Sequence, residues 1–294
     1  MPIINDDFLE KRCKTYPSPW DNRNYRVRSP VLREVQAIPD EFDGLKPFLS
    51  DKWYNQGSIG SCVGWDGKVT MEVTNHLLDG VPDELSAWWL YHRSRAYAAL
   101  PPGVEGSTNI ALMKALYHDG ACLETCTPTP TDRRFTKFEP CETAYDQAKG
   151  FAIDSYWYVN INPNDMKAAI YGVTHEAPYK MPDGSHGKIP LVTAYPVYSS
   201  FSEANDDGIV PMPFEGETLR GGHSSQIRGW KIIDGKEYWI NTNSWGSEVG
   251  DKGTFYLPID YPFYDAWLIH NGPRKYPWWC PLVSWLPWWK KTCK

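Results

Sequence analysis

No stretch of this 294-residue chain reaches the roughly 18 to 20 consecutive apolar residues that a membrane-spanning helix requires. The opening residues, Met1 to Phe8, are acidic and carry neither a basic start nor a long apolar run, so the sequence predicts no secretory leader and a soluble product. Positive charge is not in excess: 30 Lys and Arg stand against 36 Asp and Glu, a formal net charge of −6, which leaves no electrostatic footprint for nucleic acid. Metal-ligand patterning is scarce as well. Cys122 and Cys126 lack the second pair that would complete a tetrahedral site, so neither a metal nor another cofactor is expected. Without a leader, reduced thiols are the expected state, with a bridge between Cys280 and Cys293 left open. Internal repeats and low-complexity tracts are absent.

A core is well supplied, since 41% of the residues are hydrophobic and 15% aromatic. Residues 1–45 read as an N-terminal extension in which Pro17, Pro19, Pro30 and Pro39 break any long helix, and an extended path is expected. It either wraps the body or lies in a cleft. Residues 46–160 carry helical signals. Val69, Val73 and Leu77 recur every four positions after Cys62, Ser86 can cap a helix bearing Trp89, Leu90, Arg93 and Tyr97, and a third helix is expected from Asn109 to His118, stopped by Gly120. Residues 161–270 open on a short helix from Asn162-Pro163 through Ile170. Strand-like runs follow at Ile189–Tyr198, Ser225–Ile233, Tyr238–Asn241 and Thr254–Leu257. Helices first and strands later predict an α+β fold with segregated halves and a cleft between them.

Residues 271–294 form a separate tail with Trp278, Trp279, Trp285, Trp288 and Trp289 among five basic residues and no acid. Its prolines at 277, 281 and 287 exclude one continuous helix, and it is too short to span a bilayer. Folding back onto the body, docking to a partner protein, and an interfacial contact through residues 276–294 are the three readings.

The chemistry lies in three short motifs. Gln56-Gly-Ser-Ile-Gly-Ser-Cys62 comes first, Gly221-Gly-His223 second, and Asn243-Ser-Trp-Gly246 third. A cysteine attacks as its thiolate, and a neighbouring imidazolium or a helix N-terminus stabilises that form. A histidine in turn needs an orienting partner, which an asparagine supplies. His76, His92, His118, His175, His186 and His270 lack comparable context. A lone cysteine or histidine is more often structural; the joint occurrence of the three motifs in this order points to a thiol hydrolase.

The motifs resemble those of the papain-like (C1) cysteine peptidases, and the resemblance extends over roughly residues 20–270, being nearest to compact bacterial and phage-type members without a long pro-region. It implies a two-lobed fold, with a helical lobe carrying the nucleophile and a β-barrel-like lobe carrying His and Asn, and endopeptidase activity through a thioester acyl-enzyme. Cys62 would be the nucleophile, His223 the acid and base, Asn243 its orienter, and Gln56 an oxyanion donor together with the Cys62 backbone N–H. Trp245 would shield the His–Asn bond, and Gly106, Ser107, Gly222 and Trp245 would contact an extended peptide or protein substrate added as a strand. The chain departs from plant and lysosomal members at Ile59, where they carry a disulfide cysteine, and at Val63, where they carry tryptophan. Gly222 stands where papain has an aspartate, and Ser224 where a small apolar residue is usual. Two alternatives accompany this reading: a papain-fold structural or adhesive module using the aromatic tail, and a thiol hydrolase acting on peptidoglycan peptides.

Overall fold

A computed structural model describes residues 3–21, 26–27, 38–44, 54–79, 84–101, 103–130, 132, 137–172, 189–204 and 206–270. The Trp-rich tail lies outside these residues, and with it the readings of residues 276–294 and the pair Cys280 and Cys293. In chain order the elements are α1 (Asp6–Arg12), β1 (Thr15–Tyr16), β2 (Arg26–Val27), β3 (Phe42–Asp43), α2 (Cys62–Asp79), α3 (Ala87–Ala98), β4 (Ser107–Thr108), α4 (Asn109–His118), α5 (Ala144–Lys149), β5 (Ser155–Val159), α6 (Pro163–Tyr171), β6 (Leu191–Tyr198), a 3₁₀ turn (Ser199–Ala204), β7 (Leu219–Ile233), β8 (Lys236–Thr242), β9 (Thr254–Pro258) and β10 (Asp265–His270).

Four helices start by the same local device. Asn5, Ser86, Thr108 and Asn162 each hold an extended backbone and accept the N–H of Phe8, Trp89, Ala111 and Asp165 respectively, satisfying a donor that the first helical turn leaves without a partner. The bounds of α3, α4 and α6 follow the sequence signals. Helix α1 does not: an extended path was expected, yet the cap at Asn5, Asp6 and Asp7 in the first turn, and Lys11 and Arg12 in the last turn complement the helix dipole. Pro2 precedes the helix, and Pro17, Pro19, Pro30 and Pro39 all come after it.

Among the described residues the large sheet has eight strands. Seven lie in the order β2-β5-β10-β6-β7-β8-β9, and β3 pairs with β7. All its pairings are antiparallel except β2 with β5. Among the described residues the path is open, so in place of the expected barrel-like half there is a sheet with no closed barrel, within an α+β fold. Strands β5 and β10 were not expected, although β5 carries the aromatic and β-branched run Tyr156-Trp-Tyr-Val159. Through β5, residues 155–159 of the nominally helical half join the sheet.

Two buried clusters flank the contact between the halves. One unites Met71, Trp89, Leu112, Leu116 and Phe151 of the helical half with Val192 and Trp267 of the sheet. The other packs Ile4, Phe8 and Leu9 of the N-terminal segment against Tyr195, Phe201, Trp245 and Phe255. Burying such side chains stabilises by about 1.5 to 3 kcal/mol each, which fixes the N-terminal segment to the body. One cysteine expectation is overturned: Cys126 and Cys141 form a disulfide across a Cα separation of 5.1 Å. The Cys141 N–H donates to the Cys126 carbonyl at 2.9 Å and draws the two chain segments together, a long-range contact that spacing does not reveal. Among the described residues no helix is long and apolar enough to cross a membrane, and no group of His, Cys, Asp and Glu forms a metal cluster.

Candidate active site

Cys62 is the first residue of α2, so the positive end of the helix dipole lies at its side chain. The Gln56 loop before it is stitched to the Asn243 loop. Gln56 N–H donates to the Ser244 carbonyl at 2.8 Å, and Ser244 Oγ donates to Gln56 Oε1 at 2.7 Å. On the sheet side, the β7–β8 register sets Gln226 opposite Thr242, which places His223 and Asn243 within reach of each other. His223 Nε2 lies 2.9 Å from Asn243 Oδ1. The Trp245 ring covers this pair, 4.6 Å from the imidazole centroid and itself buried among Phe8, Phe201 and Phe255.

The other imidazole nitrogen, Nδ1, is buried without a hydrogen-bond partner. The backbone N–H of Ser224, directly after His223, reaches the Cys62 sulfur. Burial pushes the Cys62 thiol up, against hydrogen bonds from Thr15 and from the N–H groups of Lys14, Ser224 and Val63. Burial also pushes His223 down to about 4, with the Asn243 bond opposing. Both groups are therefore held neutral here, because a dry site disfavours each charged form.

The dryness has a source. Residues 12–18 run through the cleft and cover Cys62, which is 0% exposed. The Arg12 carbonyl accepts from Gln56 Nε2 at 3.2 Å, the Lys14 carbonyl accepts from the Ser107 N–H at 3.2 Å, and Thr15 Oγ1 lies 3.0 Å from Cys62 Sγ. Strand β1 pairs in parallel with β4, Thr15 opposite Ser107, while Lys14 bridges to Gly222. Glycines permit this approach. A Cβ at Gly106 would stand 1.8 Å from the Lys14 carbonyl oxygen, and one at Gly222 would stand 2.1 Å from that of Thr15.

The expected substrate contacts Gly106, Ser107 and Gly222 thus converge on one segment of this same chain. Their parts differ. Both polar backbone groups of Gly106 are taken by α3, its N–H donating to Tyr91 Oη at 3.0 Å and its carbonyl accepting from Arg95 Nη1 at 2.9 Å, so Gly106 contributes room and Ser107 the hydrogen bond. Sequence reasoning passed over Arg12, Thr15 and Ser18, since nothing local marks a residue that docks onto a site far along the chain.

It also passed over a buried polar chain beside His223. Ser224 Oγ lies 2.6 Å from Asp66 Oδ2 and 2.8 Å from Asn109 Oδ1, and Asn109 Nδ2 donates to Asp265 Oδ1 at 3.0 Å. A hydroxyl has one proton to give, so all contacts are satisfied when a protonated Asp66 donates to Ser224 and Ser224 donates to Asn109. Burial holds Asp66 well above the usual carboxylate range, in keeping with that order.

Residues 38–261 match the model of the papain family of cysteine proteases. The chain belongs to that family. This papain-family chain is 30% identical over 138 residues to the cathepsin B-like cysteine proteinase 6 of Caenorhabditis elegans, covering 47% of itself and 31% of the relative. It is 25% identical over 239 residues to cathepsin S of Rattus norvegicus, covering 81% of itself and 64% of the relative. It spans less than two thirds of the length of these curated relatives. Among solved structures it is similar to xylellain, a cysteine protease from Xylella fastidiosa, with a TM-score of 0.72 at 23% identity over 90% of this chain and 97% of that one. A procathepsin B from Trypanosoma congolense follows with a TM-score of 0.68 at 14% identity over 92% and 89% of the two chains. At these identities the likeness is one of fold.

Proposed function

We propose that this papain-family chain is a cysteine endopeptidase in which Cys62, His223, Asn243 and Gln56 carry the chemistry. The observation supporting it most directly is the His223–Asn243 bond, which leaves Nδ1 of the buried imidazole without a partner, while the N–H of the adjoining Ser224 reaches the Cys62 sulfur at a helix N-terminus. With peptide in the cleft, His223 takes the Cys62 proton and the thiolate attacks the scissile carbonyl. The oxyanion that forms accepts from Gln56 Nε2, the donor now spent on the Arg12 carbonyl, and from the Cys62 N–H. His223 then gives its proton to the leaving amine, and a thioester remains. Water, deprotonated by His223, attacks that thioester and restores the thiol.

Endopeptidase action fits a cleft that already accommodates chain on both sides of Cys62, from Arg12 at Gln56 to Ser18 at α4. Catalysis on this reading requires residues 12–18 to leave, because they occupy the nucleophile, the oxyanion donor and the Ser107 N–H together. The adhesive alternative rested on the tail, which is outside the described residues. The test is reaction of the full chain with a peptide-like epoxide, mapping of the labelled cysteine, and peptide hydrolysis by the Cys62→Ala and His223→Ala variants. Labelling at Cys62 and loss of hydrolysis in both variants are expected. Hydrolysis by Cys62→Ala at the native rate sinks the proposal.

A further inference from the structure

At the outer edge of β9, the Val210 N–H donates to the Tyr256 carbonyl at 3.0 Å and the Tyr256 N–H donates to the Gly208 carbonyl at 2.7 Å. Beside this pairing is an open groove of about 750 Å³, a size within the roughly 300 to 1,000 Å³ of sites that receive a ligand. Ile209, Met212 and Ile259 give it an apolar lining, and Glu203, Asp207 and Asp260 bring carboxylates to it. Its walls are fixed by hydrogen bonds. The Ile259 N–H donates to the Glu237 carbonyl at 3.0 Å, the Ile259 carbonyl accepts from Trp239 Nε1 at 3.0 Å, and Asp207 Oδ1 accepts from the Ile209 N–H at 2.9 Å. Met212 is nevertheless 47% exposed, so apolar surface faces water in a groove that is already formed.

The fourth acid of the lining, Glu237, is paired with Lys167, but no ion pair among the described residues takes up Glu203, Asp207 or Asp260. Lys236 is the one cation in the described lining. Unpaired carboxylates around exposed apolar surface suit an occupant that carries both positive charge and large apolar side chains. This chain contains such a segment: residues 276–294 hold Trp278, Trp279, Trp285, Trp288 and Trp289 with Lys290, Lys291 and Lys294, and no acid. Indole rings pack well against a methionine thioether and aliphatic stems. The distance is also right. Strands β10 and β7 both run antiparallel to β6, so both finish at the same end of the sheet, where the β7–β8 hairpin brings Lys236 and Tyr238 to the groove. Two strands separate β10 from β8, a gap of about 15 Å at about 4.8 Å per strand spacing. Residues 271–277 can span up to about 23 Å, which is enough to carry Trp278 from His270 to the groove.

We propose that this groove is the docking site of the chain's own residues 276–294, with indole rings on the apolar lining and lysines at Glu203, Asp207 and Asp260. Covalent attachment favours this occupant over a free partner, because it holds the segment at a local concentration on the order of millimolar. The groove is remote from the reacting groups along the sheet. Strand β7 passes His223 near its start and reaches the hairpin beside the groove only after Ile233, so a docked tail leaves the cleft at Cys62 unobstructed. The inference goes beyond the peptidase reading and does not depend on it.

The experiment uses the full chain with Met212 replaced by the photo-crosslinker p-benzoylphenylalanine, irradiated in dilute solution, digested with trypsin and mapped by mass spectrometry. An adduct between the groove and the peptide Tyr276–Lys290, formed within monomeric protein, is expected. The same crosslinker in place of Tyr145, which is 50% exposed on α5 in the helical half, is expected to give no adduct with that peptide. Adding Glu203→Lys, Asp207→Lys and Asp260→Lys should lower the adduct yield from position 212 roughly fivefold or more, since attraction becomes repulsion. Tm reports whether that variant is folded, and Glu203→Gln with Asp260→Asn makes the same comparison, with a smaller loss of yield, if the triple reversal is not. No tail adduct from position 212, or equal yields from positions 212 and 145, overturns the proposal. So does an adduct found only in crosslinked dimers, which would assign the groove to the tail of a second copy, or a yield that neither set of charge variants changes.

Discussion

Replacing Gly222 by alanine tests the cover over Cys62 without touching the thiol. The Gly222 backbone does not occupy the left-handed region, so alanine brings no backbone strain, only a methyl group. That methyl would lie 2.1 Å from the Thr15 carbonyl oxygen and 3.0 Å from Tyr264 Cε2. Non-bonded atoms settle at about 3.5 Å or more, so the covering segment has to move out by more than about 1 Å. The contacts at risk are Thr15 Oγ1 to Cys62 Sγ at 3.0 Å, Ser107 N–H to the Lys14 carbonyl at 3.2 Å and Gln56 Nε2 to the Arg12 carbonyl at 3.2 Å. At a net 0.5 to 1.5 kcal/mol each, their loss shifts the balance toward an open cleft by about 2 to 4 kcal/mol, or roughly 30- to 1000-fold in open population. The assay is the rate of iodoacetamide modification at Cys62, with buried Cys122 as the internal reference for global unfolding. Acceleration at Cys62 alone is expected. An unchanged Cys62 rate refutes the reasoning, as does an equal rise at both cysteines.

The two charged-state shifts nearest the site oppose each other in pH. His223 is near 4 in the fold against an ordinary 6.5, so between those values the unfolded chain binds more protons and stability rises with pH, by up to about 3 kcal/mol. Asp265 is near 6 against an ordinary 3.8, so its contribution runs the other way, and Asp66 shares that sign. Asp265→Asn should therefore lose stability more steeply than the native chain as pH falls from 6.5 to 4, measured as urea midpoints, and parallel curves would refute the assignment. Removing the Cys126–Cys141 bridge by Cys126→Ser with Cys141→Ser opens a loop of sequence separation 15, worth about 3 kcal/mol. Thermal unfolding in non-reducing buffer should show a clear drop in Tm, and an equal Tm would mean the thiols are not joined in solution.

Much of the fold was legible because its signals are local. Ser86 and Asn162 cap their helices through contacts three residues long, and β7 and β8 carry apolar, aromatic and β-branched residues within their own length. The candidacy of Cys62, His223 and Asn243 was legible for another reason: a nucleophile, its base and its orienter need fixed residue types in fixed short contexts, and the three motifs supply such contexts in order. Helix α1 was missed although its capping signal is local, because proline content further along dominated the reading of the whole segment. Strands β5 and β10 were missed because neither has a neighbouring hairpin partner, and their hydrogen bonds come from distant segments, β5 with β10 and β10 with β6.

What the tertiary structure alone decided is the state of the site. Sequence reasoning expected a substrate peptide at Gly106, Ser107 and Gly222, and in the fold residues 12–18 of this chain lie there instead, seated by Phe8 and Leu9 in the core and by long-range hydrogen bonds. The same is true of Asp66, Asn109, Ser224 and Asp265, four polar residues from α2, α4, β7 and β10 that share one buried chain. The amino-acid sequence by itself determined which side chains can do the chemistry, since that depends on functional groups. Which of them are dry, neutral and covered was decided by packing, because desolvation is a property of everything that surrounds a group and not of the residue that carries it.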